Sequence, residues 1–120
     1  MRSLAGHWSN GGDAVVVLTS LTLLIVIKSK CDGCREFLHA ELDEFAGLEI
    51  VFVSGTEDTD HEWNDSRRPV LIAPDVLAAL DVRWPPMYVL IDPVANVVRV
   101  EGVVFGPSQV AAEIAPFLTP

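Results

Sequence analysis

The segment Leu21-Thr22-Leu23-Leu24-Ile25-Val26-Ile27 carries no charge, is rich in β-branched residues, and gives way within a few residues to a different hydrophobic period. A run of that kind buries both faces of a strand, as in the middle of a partly parallel sheet. Residues 14–18 have the same character, with only Thr19-Ser20 between, so the stretch reads as two strands or one long bent strand. From Cys34 onward, Cys34, Phe37, Leu38, Leu42 and Phe45 fall at spacings of three and four, which draws one apolar stripe on a helix. Arg35, Glu36, Glu41 and Asp43 take the other side, and Gly47 stands just past the last periodic residue, as a C-terminal stop does. Residues 48–53 then return to strand character. Strand, helix and strand in so short a stretch predict a right-handed βαβ crossover with parallel strands.

Residues 54–69 are acidic and then briefly basic (Glu57, Asp58, Asp60, Glu62, Asp65, then Arg67-Arg68) and read as a loop, with a short helix around Glu62-Trp63. Pro74 opens a short helix over 75–80 at its first turn. Residues 87–91 and 97–104 are strands joined by Asp92-Pro93-Val94-Ala95-Asn96, a connection short enough to require an antiparallel hairpin. Gly106-Pro107 breaks the chain, Ser108 can cap, and Val110, Ile114 and Leu118 mark a last amphipathic helix. The expected architecture is α/β: a four- or five-stranded mixed sheet with helices on both faces. Residues 1–13, polar and glycine-containing, read as a flexible lead-in to a domain over 14–120.

Several classes are excluded by bulk properties. The net charge of −9 is the opposite of a nucleic-acid-binding face and disfavours docking on anionic lipid. The longest apolar run is shorter than the roughly 20 residues a spanning helix needs, so no membrane insertion is expected. The N-terminus has one basic residue and no apolar h-region, which is not a signal peptide. Either the chain is cytoplasmic, or it is extracytoplasmic and an anchor has been removed; the sequence leaves both open. With half its residues apolar, the chain holds enough for a core without staples or metal.

The two cysteines form the motif Cys31-Asp32-Gly33-Cys34. A loop that small stabilises a fold little, and a structural framework would show more cysteines at wider spacing. Cys31 falls where a buried strand ends and a helix begins, near unsatisfied N–H groups and the positive helix end, which favour thiolate over thiol. Lys28, Lys30 and Arg35 add positive charge and Asp32 opposes it, so the pair is expected to be oxidising for a dithiol. Cys34 lies one turn inward and begins the buried stripe. An exposed first thiol that attacks and a protected second thiol that resolves are what disulfide exchange requires.

These features resemble the thioredoxin superfamily, nearest its thiol-disulfide reductase branch. The resemblance runs over roughly residues 21–118. It is carried by Cys31-Asp32-Gly33-Cys34 after the apolar strand, by Trp84-Pro85-Pro86-Met87 before the hairpin strand Tyr88-Val89-Leu90-Ile91-Asp92, and by Val100-Glu101-Gly102-Val103 before a terminal helix. It implies a thioredoxin-like fold, with Cys31 and Cys34 catalytic. It also implies a cis proline at Pro86 facing them, and a substrate groove shaped by Pro86, Pro85, Trp84, Asp32 and Gly33. The implied partner is a protein disulfide or dithiol met by a monomer, with an upstream redox partner that remains open and no cofactor. The chain departs from the family at Lys30 and Gly33, where an aromatic residue and a proline are usual. Ile25 stands where thioredoxins bury an acid, and Pro85 lacks the N–H that the residue before the cis proline offers to substrate.

Other readings of the cysteines are a non-catalytic binding module that keeps an idle pair, and a zinc half-site. Zinc needs four ligands as a rule, and His39 lies far round the helix from Cys34. His61 is read as solvent-facing and His7 as part of the lead-in. Peroxide reduction in the manner of a peroxiredoxin calls for a threonine three residues before the cysteine, where Lys28 stands. Trp84 shelves a substrate or packs the sheet end; Trp8 and Trp63 are read as packing residues, and Arg67-Arg68 carries no meaning alone.

Overall fold

In the computed structural model, which describes residues 1–59, 61–63 and 66–118, the uncharged segment is the strand β3 (Thr22–Val26), buried along its whole length. Its two faces serve different cores. Leu23 and Ile25 enter one apolar cluster while Leu24 and Val26 enter another, the period-two alternation of a strand. The strand β4 (Glu49–Ser54) runs parallel to β3 on one side, and β6 (Met87–Asp92) runs antiparallel on the other. The helix α1 (Asp32–His39) makes the crossover from β3 to β4, and β7 (Val97–Val103) returns beside β6 as the predicted hairpin. Phe37 and Leu38 of α1 cover the first cluster together with Val110 and Ile114 of α3 (Pro107–Ile114). Val76 and Leu77 of α2 (Pro74–Ala79) cover the second. Helices therefore lie on both faces of a mixed sheet, as expected.

The sheet is wider than the four or five strands expected. Among the described residues seven strands stand in the order β2-β1-β5-β4-β3-β6-β7. The strand expected over residues 14–18 is β2 (Asp13–Val17), and the added ones are β1 (Ser3–Trp8) and the short β5 (Val70–Ile72). The segment expected to lead in loosely thus forms a strand, paired antiparallel with β2 and, through His7 and Trp8, with β5. Its apolar pattern is diluted by Ala5 and Gly6, and the glycine is there for close approach: a Cβ at residue 6 would stand 2.2 Å from the Ile72 carbonyl oxygen. Residues 14–18 and 21–27 belong to two separate strands, not one bent one.

Local differences have tertiary causes. The stripe that reads as helix through Phe45 stops at His39, with Ala40 extended. Arg68 donates to the Leu38 carbonyl at 2.6 Å and Arg67 to the His39 carbonyl at 3.4 Å, so the arginine pair caps α1 from a distant loop. Phe45 still reaches the core through a single 3-10 turn, its ring 5.5 Å from that of Phe37. At the start of α3 the cap is Gln109, which accepts from the N–H groups of Phe105 and Gly106, whereas the Ser108 hydroxyl turns to Glu44. Glu62 and Trp63 lie in a turn rather than a helix; Asp60 and Asp65 of that acidic stretch lie outside the described residues. Trp63 is buried in the first cluster, and Trp8 packs against the second. No helix among the described residues is long and apolar enough to cross a membrane.

Candidate active site

After Val26 the chain leaves β3 with one further hydrogen bond, from the Ile27 N–H to the Val53 carbonyl, and turns through Lys28, Ser29 and Lys30. Lys30 takes a left-handed conformation (φ 57°), uncommon for a residue with a Cβ. Cys31 follows as the extended N-cap residue of α1. Its sulfur accepts the Cys34 N–H at 3.2 Å, the place a capping oxygen usually fills. Cys31 and Cys34 form a disulfide across the first helical turn, with a Cα–Cα distance of 5.2 Å. Their surroundings differ. Cys34 is 1% exposed, on the stripe that carries Phe37, and Cys31, expected to be exposed, is itself mostly buried, at the rim of the cluster with 9% of its surface open. Both belong to the cluster that holds Ile25, Ile27 and Trp63.

Two further loops converge on this end of the sheet. The Pro85–Pro86 peptide bond is cis. In the β3–β6 register Val26 pairs with Met87, which carries Pro86 alongside Ile27, and Pro85 lines a hollow shared with Ile27 and Lys28. The Pro86 carbonyl accepts the Val104 N–H at 3.1 Å, tying this loop to the end of β7. From the other side Phe105 approaches the motif: a Cβ on Gly33 would stand 3.1 Å from the Phe105 carbonyl oxygen, a tight contact that favours glycine. Trp84 is 78% exposed and Phe105 75%, so neither packs the sheet end; both present rings to solvent. Asp32 is almost fully exposed and pairs with Arg35. The structure thus groups Cys31, Asp32, Gly33 and Cys34 with Pro85, Pro86 and Phe105 at one end of the sheet, with Trp84 adjoining Pro85 in the chain.

Phe105 and Glu62 went unread in the sequence. An aromatic residue between a strand and Gly106-Pro107 was the one local signal for the first. Glu62 sat among acids that read as a solvated loop, yet its side chain is only 15% exposed. Both its carboxylate oxygens accept the Lys30 N–H at 3.0 Å, and Arg35 donates to one of them at 3.3 Å. The Glu62 and Trp63 N–H groups are in turn held by the Asp58 carboxylate, at 2.7 and 2.9 Å. His7 contacts Glu57, and His39 and His61 are exposed. Among the described residues no three His, Cys, Asp or Glu side chains gather as a metal site would require.

A disulfide-bonded CxxC at the N-terminus of α1, in a mixed sheet covered on both faces, is the arrangement of a thioredoxin-like fold. The solved structures agree. The chain is similar to a thiol:disulfide interchange protein from Bacteroides sp., with 17% identity and a TM-score of 0.66 over 97% of this chain and 86% of that one. It is similar to the exposed lipoprotein thioredoxin of Streptococcus pneumoniae, with 18% identity and a TM-score of 0.62 over 92% and 98%. It is also similar to the MTB protein dsbF, solved in mixed oxidised and reduced forms, with 18% identity and a TM-score of 0.66 over 94% and 93%. No protein-family model and no curated protein matches the sequence. At such identities the likeness establishes the fold alone.

Proposed function

We propose that the chain is a thiol-disulfide oxidoreductase that exchanges disulfides with a protein partner. The observation that carries this reading is the asymmetry of the pair, Cys31 at the rim as helix N-cap and Cys34 enclosed one turn inward. In the reducing direction the Cys31 thiolate attacks one sulfur of a substrate disulfide. That S–S bond breaks, a Cys31–substrate disulfide forms, and the released substrate sulfur takes a proton. Cys34 then loses its proton and attacks the Cys31 sulfur, expelling the second substrate thiolate. Two electrons pass from the dithiol to the substrate, and the Cys31–Cys34 disulfide remains. The oxidising direction is the same sequence reversed. The helix N-terminus and the Cys34 N–H stabilise negative charge on the Cys31 sulfur in either direction.

Phe105, close to Gly33, and Trp84, next to Pro85 in the chain, offer exposed apolar surface, and Pro85 and Pro86 leave that edge without N–H donors, so recognition rests on apolar contact more than on main-chain pairing. Thiol:disulfide interchange proteins share the fold, which supports a protein disulfide as the substrate class. The test is insulin reduction driven by dithiothreitol. Wild type should accelerate precipitation of the insulin B chain, and Cys31→Ser should fall to the uncatalysed rate. Equal rates would leave a binding module with an idle disulfide as the better reading.

A further inference from the structure

Of the charged side chains around the Cys31 turn, Glu62 is the least hydrated. Lys28, Lys30, Asp32 and Arg35 are exposed, whereas Glu62 is 15% exposed and bonds the main chain one residue before Cys31. Charges in water are screened within about 10 Å at moderate salt, while partly buried ones are screened much less. The neighbouring loops add Trp84, Pro85, Pro86, Phe105 and Gly106, none of which titrates; Glu36 of α1 turns toward Gly106.

We propose that Glu62 is the positioning residue of the dithiol: it fixes the left-handed turn at Lys30 that delivers Cys31 to the helix N-terminus, and its charge holds back formation of the Cys31 thiolate. This rests on the redox reading of the same site. The positioning half follows from geometry. A lysine in the left-handed region is held there by its surroundings, and the contacts available are the Glu62 carboxylate on its own N–H and the Arg35 guanidinium on that carboxylate. Asp58 makes the clamp stiff by fixing the Glu62 and Trp63 backbone, and Trp63 anchors the loop in the core. The electrostatic half follows from sign. A poorly hydrated carboxylate bonded to the main chain one residue before a thiol disfavours a second negative charge there, and by pairing with Arg35 it removes a cation from the thiolate's surroundings. The oxidising character expected from Lys28, Lys30 and the helix end is therefore restrained by a residue from another loop.

The measurement is the pH profile of iodoacetamide alkylation of Cys31 in the reduced protein with Cys34→Ser, for Glu62 wild type, Glu62→Gln, Glu62→Ala and the exposed control Glu101→Gln. Glutamine keeps an oxygen for the Lys30 N–H and loses the charge. The expected result for Glu62→Gln is a midpoint about one unit lower, so that alkylation well below the midpoint runs severalfold faster, about a tenfold gain in thiolate partly offset by its lower nucleophilicity. Its plateau at high pH should be slightly slower, because a less basic thiolate is a poorer nucleophile. Mere loosening of the turn would raise the rate at every pH and would not cross the profiles in this way. Glu101→Gln should superimpose on wild type. In the intact dithiol, Glu62→Gln should shift the glutathione titration midpoint toward a more oxidising potential. Glu62→Ala should add faster plateau alkylation as the turn is released; if that variant does not fold, the glutamine comparison still decides. A Glu62→Gln profile identical to wild type, or shifted no more than Glu101→Gln, overturns the proposal. Absence of insulin turnover by wild type overturns the oxidoreductase reading instead, and leaves the alkylation comparison intact.

Discussion

At the scale of single residues, the difference between Cys31 and Cys34 is an unequal opening to solvent on one helical turn, 9% against 1% exposed. Reduction leaves the apolar wall around Cys34 in place, since Ile25, Ile27 and Phe37 belong to the core whatever the state of the sulfurs. Brief iodoacetamide treatment of the reduced protein at neutral pH should therefore modify Cys31 first, with mass mapping showing Cys34 largely unlabelled. Equal labelling would mean that α1 opens on reduction. The cysteines were legible in the sequence because their meaning is local: spacing, a strand before, a helical stripe after. Ile25 was legible too, as an apolar residue where the resemblance puts an acid, and it lies across from Tyr88 in the middle of the cluster that holds Cys34. Glu62 was not legible. It acts on a residue 32 positions away, and from the sequence alone a carboxylate in an acidic loop is indistinguishable from its solvated neighbours.

At the scale of elements, β3, α1, β4 and the β6–β7 hairpin follow from hydrophobic period, which is why their order and directions could be read from the chain. The elements that escaped have little periodic signal. Strand β5 is three residues between Pro69 and Pro74, and β1 is punctuated by Ala5 and Gly6. The end of α1 escaped because its cap comes from the far side of the chain. A helix leaves its last carbonyls without partners, and here Arg68 fills that need at Leu38. Arg68→Ala should cost about 1.5–3 kcal/mol of stability, the range for a hydrogen bond that involves a charged group, read as a lower urea midpoint with an unchanged slope. Arg67→Ala, whose side chain is largely exposed and whose contact to His39 is longer, should cost less than 1 kcal/mol. Equal effects of the two would argue against capping and for a general effect of charge.

At the scale of the whole molecule, stability should depend on pH from both sides, for reasons the structure separates. Asp92 is held below its ordinary value by the Ala95 N–H and then by Arg99, and Glu113 by the Gln109 amide and then the Tyr88 hydroxyl. For both, the unfolded chain binds protons more readily, so their contribution is present above the ordinary carboxylate range and is lost as pH falls through the lowered values. Tyr88 runs the other way. Burial, followed by its hydrogen bond to the Glu113 carboxylate, pushes the phenol up to about 12. Unfolded tyrosine ionises near pH 10, so above that point the unfolded state holds fewer protons than the folded one. Stability should then fall between about pH 10 and pH 12, the window set by Tyr88. A chain of net charge −9 also repels itself more strongly as its lysines lose their protons, which lowers alkaline stability by a separate route. High salt distinguishes the two, because it screens the exposed charges and does little to a phenol buried in the core. Urea unfolding of the oxidised protein in high salt should retain an alkaline decline in wild type. Tyr88→Phe should start lower at neutral pH, by roughly 1–3 kcal/mol for the lost bond to a charged acceptor, and then stay nearly flat through the same window. Parallel declines in the two proteins would show that self-repulsion, not Tyr88, governs the alkaline limit.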